Sequence, residues 1–331
     1  MKLFILEYIT GGGLAGHKAL PPSMLHEGDL MLAALLSDIA AVTGISKIIL
    51  LRDARLPPPA FLRNSSTPDD RIHMIWISSV AEFETHCDRE IRRCDAFWPI
   101  APESTGILEK MCRMAEMYHV PLINSGSAAV AICASKSRTL QILAATGLPV
   151  VSCFRHATPS TSAYPGTWVY KPDDGAGCDG VQRLADTASL DPAVQWIRQP
   201  WIEGRNLSIS AIIHHQRAWL LSINQQIIEW DTRQKACLLG CKANTPLQPL
   251  SLYQQLMDTI ALSIPGLAAY IGVDFILTPH HGPVLLEINP RMTTSYATLS
   301  ADIGWNIGEA ILASVMQHDW VPHTYTASST G

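Results

Sequence analysis

With 331 residues, 47% of them apolar and only 16% charged, the chain has two or three domains' worth of core and less surface charge than usual. A net charge of −5 offers no basic footprint for nucleic acid or an anionic membrane, and the shortage of surface charge points to a homodimer or other homo-oligomer. Eight cysteines scattered singly, Cys237 and Cys241 being the closest pair, exclude a disulfide framework and point to reduced thiols in the cytoplasm.

The opening MKLFILEYIT is broken by Glu7 and lacks a signal-peptide pattern. No stretch approaches the roughly 18 apolar residues of a membrane span, so a soluble chain is expected. Residues 3–9 read as a buried strand followed by a glycine loop, and residues 30–42 as a helix. Residues 47–51 form a second strand, ending at the breaker Pro57–Pro59. Strand 74–78, helix 81–93, strand 96–100, helix 108–118 and strand 120–123 complete a βαβ rhythm. That rhythm predicts a mainly parallel sheet with helices on both faces. Glu7, the glycines Gly11, Gly12 and Gly13, and Glu103 fall at strand ends, where open α/β sheets bind ligands.

A helix over 135–146 stops at Gly147 and Pro149. Residues 150–200 read as short antiparallel strands around a glycine loop, and 205–230 as two or three longer strands. Residues 252–264 and 307–317 are helical, and the small polar tail 324–331 is expected to fray.

Between the last two helices lies GVDFILTPHHGPVLLEINPR, residues 272–291: two strands, 273–277 and 284–289, joined by a Pro/His/Gly turn. A hairpin centred on His280–His281 without a bulge sets Asp274 opposite Glu287, Val273 opposite Ile288 and Phe275 opposite Leu286. Asn289 then shares the face of Asp274 and Glu287, while Val273, Phe275, Leu286 and Ile288 form an apolar opposite face. Like charges directly opposite each other are destabilising, so a cation should compensate them. An all-oxygen set from two carboxylates and an amide suits Mg²⁺ held together with substrate phosphates. The plain alternative is a solvated surface hairpin, against which the apolar surroundings of the acids argue.

Lys171 ends the strand TWVYKP and opens a loop containing Gly175, Ala176, Gly177 and Gly180. Glycines let successive N–H groups point inward as an anion nest, and the lysine adds a point charge. Asp173, Asp174 and Asp179 would repel phosphate unless they point outward. Lys136, near the start of helix 135–146, opposes the helix dipole and hints at an anionic partner. Residues 198–210, RQPWIEGRNLSIS, could offer backbone groups to a base edge, apolar side chains to its face and a polar side chain to a ribose. They could equally be a plain crossover.

Taken in order, a lysine opening a helix, KPxDGAGxxG about 35 residues later, QPWIEGxN and VDF…LLEINPR resemble the ATP-grasp superfamily. The motifs cover residues 129–295. The resemblance implies an α/β fold with an N-terminal Rossmann-like parallel-sheet domain (1–128), a small mobile lid with the glycine-rich loop (129–204) and a C-terminal antiparallel-sheet domain (205–331). It implies ATP and Mg²⁺ as cofactors. Lys136 and Lys171 would contact the α- and β-phosphates, and the 175–180 loop would cover the β- and γ-phosphates. Gln199 would meet the adenine amino group, Trp201 and Ile202 would form the adenine strand, and Asn206 would stand where many members place an acidic ribose ligand. Asp274, Glu287 and Asn289 match the Mg²⁺ ligands, and Arg291 the arginine that steadies the transferred phosphoryl group. Lys242 would reach the γ-phosphate from a mobile loop. Ser135 replaces the acid often found before the first lysine.

Such an enzyme makes an acylphosphate from a small-molecule carboxylate and couples it to an amine with release of ADP and phosphate. The opening LEYITGGGL is similar to that of the tyramine–L-glutamate ligases of methanofuran synthesis and their methylofuran relatives. This likeness implies glutamate and a phenolic amine, tyramine or tyrosine, with Glu7, Tyr8, the loop Gly11–Gly13, Arg291 and Tyr296 around the substrates. Another amino-acid or dipeptide ligase is the alternative. From a different class, Gly11-Gly12-Gly13-Leu14-Ala15-Gly16 formally satisfies GxGxxG of an NAD-binding oxidoreductase. That fingerprint wants an acid about 20 residues on, and Asp53, the acid after the second strand, is too far away.

Overall fold

A computed structural model describes residues 1–64, 69–155, 167–184 and 190–322; the expected frayed tail lies outside them. The chain opens with β1 (Lys2–Glu7), α1 (Pro22–Ala40), β2 (Lys47–Asp53), α2 (Ala60–Asn64), β3 (Ile72–Ile77), α3 (Val80–Ile91), β4 (Ala96–Ile100) and α4 (Ile107–Met117). The strands form a parallel sheet in the order β3-β2-β1-β4. The apolar run of β1 is buried through its length, as expected of a strand covered on both faces. Helix α1 begins eight residues before its apolar stripe because Pro22 occupies its first position, where a missing N–H costs nothing. Ser79 accepts from Glu82 N at the start of α3, and Glu82 accepts in turn from Ser78 N, a reciprocal cap. Residues 120–123 are not a strand; only Leu122 bridges Phe97.

The middle segment contains α5 (Ser127–Ala134), α6 (Lys136–Ala145), β5 (Phe154–Arg155), β6 (Trp168–Pro172), β7 (Gln182–Leu184) and β8 (Trp196–Pro200). Its strands form an antiparallel sheet ordered β5-β8-β6-β7. Then come β9 (Arg205–His214), β10 (Arg217–Trp230), β11 (Ala236–Lys242), α7 (Leu250–Ser263), β12 (Ala269–Thr278), β13 (Gly282–Asn289), α8 (Tyr296–Ile303) and α9 (Ile307–Met316). These strands make a second antiparallel sheet, β11-β10-β9-β12-β13. Sequence reading missed the short helices α2, α5 and α8.

The β12–β13 hairpin pairs Asp274 with Glu287 and Val273 with Ile288, as the sequence pattern predicts. A bulge then intervenes, so Phe275 pairs with Leu285 and not with Leu286. Leu285 consequently takes the core position, fully buried, while Leu286 is partly exposed.

One apolar core lies between α5, α6, α7 and the second antiparallel sheet, with Leu143, Met257, Ile260, Val273, Phe275 and Ile288 among its members. Another joins the two ends of the chain: Leu3, Leu35 and Trp98 of the parallel-sheet region pack with Tyr296, Leu299 and Ile311 from α8 and α9. Each buried leucine or isoleucine there contributes about 1.5–3 kcal/mol, enough to hold the C-terminal helices against α1. The first sheet's core is thus completed by residues of the third segment. No described helix is long and apolar enough to cross a membrane.

Candidate active site

The hairpin's polar face forms the floor of the site. Asp274 accepts from Gln226 Nε2 at 3.0 Å and from Asn289 Nδ2 at 3.4 Å, and it shares a hydrogen bond with Glu287. Burial, then the charge of Glu287, pushes the Asp274 carboxyl well above the usual carboxylate range. Burial works against the charge of Glu287 as well, but Lys136 and Lys171 overcome it and hold that carboxyl below its ordinary value. Of the two, Asp274 is the acid whose charge the site disfavours and Glu287 the one whose charge it supports.

Lys136 stands at the first position of α6. Its ammonium lies 3.2 Å from Glu287 Oε2 and donates to the carbonyl of Gly175. The dipole conflict is relieved locally: Asp173 accepts from Ser137 N at 2.7 Å and from the hydroxyls of Ser135 and Ser137, capping the helix with an acidic side chain. Asp173 is thus a clamp between the two lysine-bearing segments and does not face a phosphate site. Lys171, at the end of β6, is buried; burial pulls its ammonium below the usual lysine range, against the pull of Glu287 and with help from Lys136.

Arg291 follows the hairpin. It donates through Nη2 to Glu103 Oε2 at 2.9 Å and through Nη1 to the carbonyl of Met292 at 3.1 Å.

Asp274, Glu287 and Arg291 border a cleft of about 500 Å³. The glycine loop forms one wall with Ala176, Gly177, Cys178, Asp179 and Gly180; Gly177 and Gly180 have φ of 62° and 72°, the left-handed region. Ser208, Gln226, Asp274, Glu287, Asn289 and Arg291 form the floor, and the β10–β11 hairpin adds Lys235 and Cys241. The far end is closed by Glu7, Ile9, Met24, Glu27, Met31 and Ile100. Lys136 and Lys171 are not on its surface but stand behind Glu287. Gln226, Lys235 and Glu27 carried no sequence motif; only their strand or helix phase, known once the fold is known, marks them.

Glu7 faces this far end. Its carboxylate accepts from Thr10 N at 2.6 Å and Ile9 N at 3.3 Å, has no cationic partner among the described residues, and is pushed up by burial to about 7. Gly28 of α1 packs on it, since a Cβ there would stand 2.6 Å from the Glu7 carboxyl carbon.

Several expected site residues stand elsewhere. Tyr8 turns away from the cleft and meets the Phe83 ring edge-on. Tyr296 is 1% exposed in the core and donates to Asp38, so it cannot stack on a substrate. Gly11, Gly12 and Gly13 do not line the cleft; Gly11 N and Gly13 N donate to the carbonyls of Glu7 and Tyr8. Gly12, at φ 94°, is required because a Cβ would stand 2.6 Å from Ile77. Lys242 pairs with Gln225 while its neighbour Cys241 pairs with Gln226, so strand alternation turns Lys242 to the face opposite the cleft.

In the expected adenine segment, Gln199 lies on β8, buried beside Cys153 without a hydrogen bond of full geometry from its amide nitrogen. Trp201 and Ile202 follow the strand instead of extending it, and Trp201 meets Trp230 edge-on with the Arg183 guanidinium over both rings. Asn206 pairs with Ile276 on the sheet face of Ser208 and Asp274, one pair beyond the floor.

Among the described residues no group of three or more His, Cys, Asp and Glu could hold a metal by itself. The donor set nevertheless fits Mg²⁺ in one manner. Asp274, Glu287 and Asn289 offer hard oxygens, and a cation among them would relieve the repulsion between the two carboxyls, leaving further coordination to phosphate and water.

Residues 133–295 match the family described as an ATP-grasp domain, and residues 46–130 that described as a pre ATP-grasp 3 domain. No curated protein sequence matches the chain. Among solved structures, a protein from Archaeoglobus fulgidus described as of the ATP-grasp superfamily is similar with TM-score 0.68 and 21% identity, over 96% of this chain and 90% of that one. The L-amino acid ligase from Bacillus licheniformis is similar with TM-score 0.61 and 15% identity, over 96% and 74%. The D-alanine–D-alanine ligase from Bacillus anthracis is similar with TM-score 0.60 and 13% identity, over 95% and 97%.

Proposed function

We propose that this chain is a member of the ATP-grasp superfamily, whose domain models match residues 133–295 and 46–130, and that it is an ATP-dependent ligase that activates a carboxylate as an acylphosphate and couples it to an amine. The observation that carries this reading is one glycine-walled cleft floored by Arg291 and by the facing carboxyls of Asp274 and Glu287, with the buried Lys136 and Lys171 holding Glu287 charged. A carboxylate is a poor acylating group because its oxygen is a bad leaving group. Its oxygen attacks the γ-phosphorus of ATP, the bond to the β-phosphate bridging oxygen breaks, and ADP leaves. The amine nitrogen then attacks the acyl carbon, phosphate leaves, and the nitrogen loses its extra protons. Phosphoryl transfer needs charge neutralisation and alignment more than covalent help. The N–H groups of the 175–180 loop bind the phosphates, Lys136 and Lys171 would reach them only once released from Glu287, and Arg291 faces the transferred group. Mg²⁺, when bound by Asp274, Glu287 and Asn289, would neutralise phosphate charge and fix the phosphate oxygens. Closure of the glycine wall over the phosphates would exclude water, which would hydrolyse the acylphosphate.

As the finer reading, the carboxylate is glutamate and the amine tyramine or tyrosine, in a methylofuran- or methanofuran-type cofactor synthesis. The far end of the cleft supports it by chemistry. Ile9, Met24, Met31 and Ile100 give an apolar slot for a ring, and Glu7 and Glu27 give partners for an ammonium. A ligase of other amino acids remains the alternative, since similar folds occur in the L-amino acid and D-alanine ligases named above. The dinucleotide reading lacks an anion site, because the loop amides of Gly11 and Gly13 are spent on carbonyls. ATP, Mg²⁺ and glutamate incubated with a panel of amines should release ADP and yield a γ-glutamyl amide of the phenolic amines, read by mass spectrometry. Efficient coupling of simple amino acids with no phenolic product would retain the ligase and remove the finer reading.

A further inference from the structure

The loop after β4, residues 101–106, reaches both arms of the cleft. Glu103 holds Arg291, and Thr105 N donates to Asp174 Oδ2 at 3.2 Å, beside the glycine loop. Thr105 and Gly106 are both left-handed, with φ of 54° and 72°. For a threonine that backbone is unusual, and such geometry persists only where its surroundings over-determine it. The loop is therefore held in one shape.

Glu103 is 5% exposed, and the Arg291 side chain is 12% exposed. An arginine and a carboxylate can form two parallel hydrogen bonds, fork to fork. Here only Nη2–Oε2 is made, while Arg291 Nε and Glu103 Oε1 are buried without a partner among the described residues. A pair built for stability alone would close the second bond. The single bond to Glu103, with the bond from Nη1 to Met292 O, instead sets the tilt of a guanidinium that borders the cleft.

From this geometry we propose that Glu103 is a positioning residue: it orients Arg291 toward the transferred phosphoryl group across the boundary between the parallel-sheet region and the hairpin. The inference rests on the ligase reading above. It makes Glu103 act only through Arg291, so its loss should change turnover and leave ground-state nucleotide binding alone.

The test is a kinetic double-mutant cycle of Glu103→Ala and Arg291→Met, with Glu103→Gln as the conservative variant. Glu103→Ala should lower kcat about 10²-fold, the scale of a 1 Å misplacement, with KM for ATP within about threefold of wild type. Glu103→Gln keeps an acceptor at the same place and should recover part of that loss. In the Arg291→Met background the alanine substitution should have no further effect on kcat. That double variant also removes the stranded buried charge, so it reports even if Glu103→Ala alone folds poorly. Additive losses, or a kcat for Glu103→Ala equal to wild type, would overturn the proposal while the ligase reading stands. Absence of ATP turnover by the wild-type protein with every carboxylate and amine would remove both.

Discussion

Asp274→Asn and Glu287→Gln should each lower ligase turnover by roughly 10²–10³, because each removes one hard oxygen charge from a site that must neutralise phosphate. Their effects on the free protein should differ. Burial and the neighbouring Glu287 disfavour charge on Asp274, so asparagine removes an unfavourable charge and the melting temperature should hold or rise. Glu287 is the charged member and compensates Lys136 and Lys171. Its loss strands two buried ammonium groups, but it also frees Asp274 to ionise in its place, which limits the damage. Glu287→Gln should therefore fold, melt somewhat lower than wild type, and show Asp274 titrating closer to the usual carboxylate range. Stabilisation by Mg-ATP should shrink in both variants. Near-normal turnover of Glu287→Gln at saturating Mg²⁺ would reject the assignment.

Lys171→Ala should lower turnover by roughly 10²–10³, the scale of removing one preorganised charge stabiliser, and should weaken nucleotide binding too. The structure adds a second consequence. Lys171 is one of the two cations holding Glu287 charged. Without it the Glu287 carboxyl rises toward its ordinary value. Activity should then fall away at a higher pH on the acid side than in wild type, since the carboxylate form is lost as pH drops through a raised pKa. Survival of both ATP affinity and turnover would reduce the 171–180 loop to a structural hairpin.

The parts of this site that follow from local rules were legible in the sequence. The Asp274–Glu287 pairing follows from strand alternation around one turn, and strand Ala96–Ile100 follows from its apolar run bounded by turn residues. The bulge at Leu286 was not legible, because two adjacent leucines suit either register until a core chooses between them. Lys242 illustrates the same limit: β10 and β11 also slip register, between Ile227 and Ile228, and one residue of phase decides which face a lysine takes. Tyr8 and Tyr296 carry the right chemistry for a phenol site, yet Phe83 and Asp38, which hold them away from it, are distant in sequence. The Glu103–Arg291 pair spans 188 residues, and Asp173 caps α6 from 36 residues away. No local pattern announces such contacts. Short helices such as α5, with its small apolar sequence SAAVAICA, were missed because eight residues bury too few side chains to display a period.

The central claim is that a carboxylate oxygen attacks ATP, and isotope transfer tests it most directly. With the acid substrate labelled with ¹⁸O in its carboxylate, wild-type protein, Mg-ATP and the amine should release inorganic phosphate carrying one labelled oxygen per amide formed. Amide formation with unlabelled phosphate, the label remaining wholly with the carbon product or with AMP, would contradict the acylphosphate account.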